Sequence, residues 1–403
     1  MAHIPIREVS ALYRPQNLRL PGPTFVPQAV LQASARPMIN HRGPEFAALL
    51  AAVTRALQDF LQTRNDVLLL TASGTGGLEA AIVNVLSAGD KVLAFNNGAF
   101  GERWAAMAKA YGLDVRRVDV PLGRAIEPEL VRDELRKEGP NGARAVLLTH
   151  NETSVGVLNP LREIAPIIRE SGKLFLVDSV SGAGAVELDI DGWGIDVCVT
   201  ASQKAWGAPP GLSMVTVGER AWKATERATL PRYYFDFQKA KASLEKGATP
   251  WTPAVTVVIA LQEALRLMSE EGLEGIIQRH VDLARATRRG VQALGLGLFS
   301  DENYASPTVT AVRSPARVDS RNLARVLRDE YDVVVAGGQG KLEGQIFRLG
   351  HMGFVTISDI TSMLGALELA LRRFNVTAEP GTAITAALRA FAAEPVVAGA
   401  RRG

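Results

Sequence analysis

KLFLVD (173–178) and IDVCVTASQK (195–204) are two short apolar runs, one ending on an aspartate and the other followed by a lysine. Neither run alternates apolar with polar residues, as a strand with one wet face would. Continuous runs of this length read as strands buried on both faces. The same reading applies to VLLLT (67–71), KVLAF (91–95), RAVLLTH (144–150) and LSMVTV (212–217). Between them lie stretches with helical spacing, such as FGERWAAMAKAYG and LREIAPIIRES. Buried strands alternating with amphipathic helices predict an α/β fold whose central sheet is mostly parallel and sandwiched by helices. In such a sheet, ligands bind at the carboxyl ends of the strands. Four groups fall there: SGTGG after VLLLT, HNETS within and after RAVLLTH, Asp178, and Gln203–Lys204.

The rest of the chain sets bounds on this picture. It has 403 residues, 47% apolar and 22% charged, with a formal net charge of +3. That is an ordinary globular composition, long enough for two domains. No basic stripe with interleaved aromatics calls for nucleic acid. No apolar segment is long enough for a membrane span, and MAHIPIREVSALYRP lacks a signal-peptide core. The single cysteine, Cys198, excludes an internal disulfide and a cysteine-based zinc framework and fits a reducing cytoplasm. Nothing in the pattern asks for a metal. The expected organisation is an N-terminal arm (1–20), a large domain (21–270), a smaller α/β domain (271–380) and a C-terminal helix with a frayed tail (381–403). A helix is expected over 45–63 and another over 254–270, with a long loop over 232–253. The second unit is expected to hold strands near TVTAVR and IFRLGH and helices near 321–330 and 357–373.

Taken singly, the candidate residues stay ambiguous. Thr75, Gly76 and Gly77 open a helix after a strand, where free N–H groups and the helix dipole suit a phosphate; a plain tight turn would look the same. Glu79 stands where a dinucleotide fingerprint needs its third glycine, and no Walker lysine follows. Asp178 ends a buried strand, where a carboxylate needs a cation, a donor such as a protonated ring nitrogen, or a helix to cap. Lys204 is either a surface charge or an amine with covalent work, which would require desolvation or neighbouring positive charge.

Together, SGTGGLEA (73–80), THNETSVGVLNP (149–160), LVDSVSGAG (176–184), VTASQKAWGAPPG (199–211), TPWTP (249–253) and FRLGHMG (347–353) resemble the class V aminotransferases. These are fold-type-I enzymes dependent on pyridoxal 5′-phosphate. The resemblance runs from LPGPTFVP (20–27) to about residue 374 and is nearest the alanine–glyoxylate and serine–pyruvate (serine–glyoxylate) branch. It implies that Lys204 carries the cofactor covalently and Asp178 faces the pyridine nitrogen. Thr75, Gly76, Gly77 and Gln203 would hold the phosphate, Thr153 the ring oxygen, and Phe100 the ring face. Thr249 and Thr252 match positions reaching a neighbouring subunit's phosphate in a homodimer with composite sites. Arg348 matches the arginine that binds the substrate α-carboxylate, and Gly22 lines the substrate side. The implied activity moves an amino group from alanine or serine to glyoxylate or pyruvate.

Several rivals stay open at this point. Aspartate, ureidoglycine–glyoxylate or aminoethylphosphonate–pyruvate transamination is one group. A dicarboxylate donor would need a second cation, for which Arg36, Arg42 and Arg232 are candidates. Cysteine desulfuration would need a mobile nucleophilic cysteine, whereas Cys198 lies inside an apolar run. A non-catalytic module and a nicotinamide oxidoreductase complete the set. His41, His150 and His351 lie near the motifs and receive no catalytic role.

Overall fold

The computed structural model of the chain describes residues 16–139, 142–376 and 378–393. Most of the expected N-terminal arm (1–15) and the end of the expected tail (394–403) lie outside the described residues. The strands in chain order are β1 (Asn17–Arg19), β2 (Asp66–Thr71), β3 (Lys91–Asn96), β4 (Asp114–Asp119), β5 (Ala145–Thr149), β6 (Asn151–Glu152), β7 (Val157–Leu158), β8 (Leu174–Asp178), β9 (Val197–Ala201), β10 (Leu212–Val217), β11 (Val309–Arg313), β12 (Val333–Gly337) and β13 (Ile346–Gly350).

The large sheet has the order β2-β10-β9-β8-β5-β3-β4. Only β10 runs against its neighbours, pairing antiparallel with both β2 and β9. Alternate residues of each strand enter two separate cores. Val146, Leu148, Phe175 and Val177 pack with the helices Pro44–Phe60, Leu161–Glu170 and Val255–Glu271. Ala145, Leu147, Leu174 and Leu176 pack on the other face with the helices Gly74–Val85 and Ala99–Ala110. The unbroken apolar runs follow directly from this double coverage.

A second sheet, β1-β12-β13-β11, packs with the helices Leu273–Ala293, Ser320–Tyr331, Ile357–Arg372 and Thr382–Ala392. Phe347 and Leu349 of β13 enter that core. By strand alternation, Arg348 between them faces the other way. Its cross-strand partners are Ala311 and Ala336, whose small side chains leave the guanidinium room.

The structure corrects the sequence reading at four places. Residues 17–19, within the expected N-terminal arm, form an edge strand of the second sheet that the sequence reading does not mark. DVRRVD (114–119) is the edge strand β4, too polar to register as a core strand. The stretch 232–253 contains a helix, Phe237–Leu244, started by Asp236, whose side chain accepts from Lys239 N at 3.1 Å, and anchored by buried Phe237 and Ala240. The helix Leu273–Ala293 directly follows Val255–Glu271, broken only at Gly272, whose φ is +79°.

Two buried histidines tie the second unit together. The His280 ring donates from Nδ1 to Ile276 O (2.7 Å) and accepts the Gly353 N–H at Nε2 (3.0 Å). His351 donates from Nδ1 to Pro307 O (2.9 Å) and meets Thr310 Oγ1 through Nε2 (2.9 Å). Burial holds His280 in its neutral form, with a pKa lowered to about 3. In the unfolded chain it titrates near ~6.5. A depressed folded pKa contributes stability above ~6.5 that is lost as pH falls toward 3, by up to about 1.4 kcal/mol per pH unit. Urea midpoints should therefore fall steadily between pH 6.5 and pH 4.5, and His280→Gln should have a lower midpoint at pH 7 with a shallower fall. An unchanged pH slope in that variant would remove His280 from the account.

Candidate active site

β8 and β9 run parallel, with Leu176 opposite Val197 and Asp178 opposite Val199. Thr149 at the end of β5 lies level with Asp178. Through β10, Thr71 and Ala201 reach the same edge, since Leu212 pairs with Thr71 and Ser213 with Ala201. All four predicted groups therefore meet at one carboxyl edge.

Lys204 sits in a tight turn just beyond β9. Its carbonyl accepts from Gly207 N (3.1 Å), and Ala208 N returns to Ser202 O (3.1 Å). Beneath it the Trp206 indole is fully buried and donates to Thr200 Oγ1 at 2.9 Å. The Lys204 amine donates to the Pro21 carbonyl at 2.6 Å. Thr24 braces the same turn, donating from Oγ1 to Lys204 O (2.8 Å) and from its backbone N–H to Gln203 O (3.1 Å). Gly22 lies against the lysine at φ +118°, and a Cβ there would stand 2.5 Å from Nζ.

Asp178 is 3% exposed, and its Oδ1 accepts from Val180 N at 2.9 Å. Burial raises its pKa to about 6, with Glu152 pushing the same way and Lys204 and Arg103 opposing. Burial lowers the Lys204 pKa to about 8, against the pull of Asp178 and with help from Arg348 and Arg103.

Arg348 is 5% exposed, and among the described residues it has no ion pair. It donates from Nε to Gly337 O at the end of β12 (2.8 Å) and from Nη1 to Thr153 O in the turn after β6 (3.1 Å). Burial brings its pKa down to about 10.

The helix Gly74–Val85 starts at the same edge with Ser73 as its N-cap residue. Thr75 and Gly76 lie in its first turn, where N–H groups have no intrahelical partner. Gly77 donates to Ser73 O at 3.3 Å, and its lack of a side chain serves packing, since a Cβ would meet Ser213 Oγ at 2.0 Å. The Gln203 side-chain oxygen is buried without a protein partner. Phe100 opens the helix Ala99–Ala110, and the Arg103 guanidinium lies 5.0 Å from its ring centroid. Thr153 is 1% exposed.

Thr249 and Thr252 stand apart from this group. Thr249 Oγ1 donates to Trp251 O at 2.7 Å, and Thr252 is exposed. Neither hydrogen-bonds to Lys204, Asp178 or the glycine turn among the described residues. Two arginines weighed as second cations are occupied. Arg42 donates to Thr249 O and Pro250 O, and Arg232 to Val83, Ala228, Leu230 and Thr225 carbonyls. Cys198 is buried in β9 with its thiol pushed well up by burial and by Asp178, the opposite of a reactive thiolate. His150, whose Nδ1 lies 3.1 Å from Ser179 Oγ, is structural like His351.

Two residues escaped the sequence reading. Arg103 is one; the helical spacing from Phe100 (i, i+3) could have placed it. Glu152 is the other, a fully buried carboxylate inside HNETS.

The comparisons agree with this geometry. The family model for class-V aminotransferases matches residues 21–360. A Synechococcus protein named as the small subunit of a soluble hydrogenase is 43% identical, covering 92% of this chain and 97% of its own. The L-aspartate–glyoxylate aminotransferase of Paracoccus denitrificans is 34% identical over 91% of this chain and 94% of its own. The crystal structure of an alanine–glyoxylate aminotransferase from Nostoc superposes with a TM-score of 0.85 at 33% identity, covering 92% of this chain and all of that one. The chain therefore belongs to the class-V aminotransferases, fold-type-I enzymes that use pyridoxal phosphate.

Proposed function

We propose that this aminotransferase takes its amino group from a small monocarboxylic amino acid, alanine or serine, and passes it to glyoxylate or pyruvate. One observation carries the reading: among the described residues the site offers a single buried guanidinium without an ion pair, Arg348, and so one seat for one carboxylate. Glyoxylate is the acceptor in the names of both the Paracoccus and the Nostoc proteins.

The residues suit the cofactor. Thr75 and Gly76 offer N–H groups at a helix start, and Gln203, whose buried side-chain oxygen has no protein partner, directly precedes Lys204. Asp178 is a buried carboxylate placed to face a protonated ring nitrogen, Phe100 provides an aromatic face, and Thr153 a hydroxyl for the ring oxygen. When bound, the cofactor supplies an electron sink for charge left on the donor Cα.

The chain's own residues then divide the work. Lys204, whose pKa burial lowers to about 8, would take the proton from Cα and deliver it to the carbon derived from the cofactor's aldehyde, so that the donor leaves as an oxo acid. Asp178 holds the proton on the ring nitrogen. Arg348 grips the α-carboxylate through paired hydrogen bonds, which fixes the bond at Cα that reacts. Thr252 is exposed and Thr249 is buried close by, next to a stacked pair, Tyr233 and Trp251 (5.1 Å), with Tyr233 71% exposed. That surface fits a second copy of the chain, whose cofactor phosphate these threonines would reach.

Aspartate is the second reading, favoured by Arg103. Arg103 adjoins the site, where its charge acts on both Asp178 and Lys204, and it lies over Phe100. The hydrogenase name of the Synechococcus relative finds no matching chemistry: iron–sulfur clusters need sets of cysteine thiolates, and this chain has one cysteine.

Cofactor capture should depend on the free Lys204 amine. For the cofactor-free chain, the rate at which the visible band appears should rise with pH and level off above about 8; a flat profile from pH 6 to pH 9 would contradict the assigned amine. Gly22→Ala places a methyl group on Nζ and strains a positive-φ position. That variant should capture cofactor at least tenfold more slowly, read by borohydride-trapped mass, while its far-UV circular dichroism stays native. Single-turnover rates with alanine, serine and aspartate should favour the first two by more than tenfold. A reversed order that Arg103→Ala abolishes would replace this reading with aspartate.

A further inference from the structure

Glu152 is fully buried, yet no cation touches it among the described residues. Its carboxylate is saturated instead by neutral donors. Oε2 accepts from the backbone N–H groups of Phe100 (3.0 Å) and Gly101 (3.1 Å). Oε1 accepts from Ser154 N (3.1 Å) and Ser154 Oγ (2.5 Å). Ser154 Oγ in turn accepts from Ala99 N at 2.9 Å. Gly98 is packed so closely that a Cβ there would stand 2.4 Å from Glu152 Cγ. The start of the helix Ala99–Ala110 is therefore stapled to residues 152–154.

This staple joins three groups that the proposed function uses. Phe100 is on its helix side. Thr153, between the two stapling residues, is buried and presents its carbonyl to Arg348. The Glu152 charge also favours the buried Arg348 guanidinium without contacting it. Because both carboxylate oxygens are occupied, Glu152 cannot clamp the arginine, and Arg348 keeps a face for substrate.

We propose that Glu152 is the positioning residue of this site: it fixes the Phe100 ring and the Thr153 backbone relative to each other, and so sets the slot into which the cofactor ring fits. The proposal rests on the cofactor reading above. A glutamine at 152 tests it sharply, because each oxygen position faces two donors. Whichever way the amide turns, its NH₂ opposes a donor pair, leaving those donors unmatched.

The experiment measures pyridoxal phosphate affinity by equilibrium dialysis, and the visible circular dichroism of the bound chromophore, for wild type, Glu152→Gln, Phe100→Leu and the double variant. Glu152→Gln should bind at least tenfold more weakly with a weakened visible dichroic band. Most of that loss should vanish in the Phe100→Leu background, because the staple then has less to position. Equal affinity in Glu152→Gln and wild type, or an identical loss in both backgrounds, would overturn the proposal. Should Glu152→Gln fail to fold, Ser154→Ala takes its place in the same cycle, with a loss of a few-fold expected and the same non-additivity required. A wild-type chain that binds no cofactor would overturn the site reading itself, whereas a wild type that binds beside an unaffected Glu152→Gln would overturn only the staple.

Discussion

The Lys204 amine is held by a backbone carbonyl, not by a carboxylate, and the chemistry of the site depends on that choice. A direct ion pair with Asp178 would lock the amine as an ammonium and spend the carboxylate at the same time. Here the amine donates to Pro21 O while Asp178 accepts from the Val180 N–H. Each group feels the other through space, but burial dominates both: the lysine falls to about 8 and the aspartate rises to about 6. Burial thus moves both groups toward neutral pH, the range in which a side chain can exchange protons readily.

The sheet makes this arrangement affordable in structural terms. Parallel strands β5, β8 and β9 end together, so their polar continuations share one edge while their apolar bodies fill two cores. The antiparallel β10 then carries β2 to the same edge, which brings in the start of the helix Gly74–Val85. The second sheet adds Arg348 from outside. Its contacts to Gly337 O and Thr153 O tie the end of β12 to the turn after β6.

Much of this was legible because double burial leaves a plain mark. The core strands showed as unbroken apolar runs, and Asp178 and Lys204 stood out as the charges at their ends. Elements with mixed surroundings were less visible. β4 is an edge strand carrying Arg116 and Arg117 on partly exposed positions, and β1 is three residues long and finds its partner, β12, more than three hundred residues away. The helix Phe237–Leu244 has only two buried side chains to give it a periodicity. Glu152 was the hardest case. A glutamate between two polar residues reads as a solvated side chain, and only folding reveals the four donors, two of them backbone groups some fifty residues earlier, that surround it.

Those donors explain how four ionisable groups can share a buried site without cancelling. Asp178, Glu152, Lys204 and Arg348 each take their hydrogen bonds from backbone groups or a serine, and among the described residues none forms a direct ion pair. Collapse into pairs would stabilise the empty protein but would have to be undone whenever a ligand arrived. Dipoles fixed by the fold compensate the charges instead, so no ion pair among these four groups has to be broken before a ligand binds. Such a site needs little reorganisation when its ligands bind, and preorganised polarity of this kind is the usual source of enzymatic rate enhancement. The staple at Glu152 extends the same logic to shape. It uses a buried charge to hold a helix start and a loop in register, and leaves Arg348 free to act.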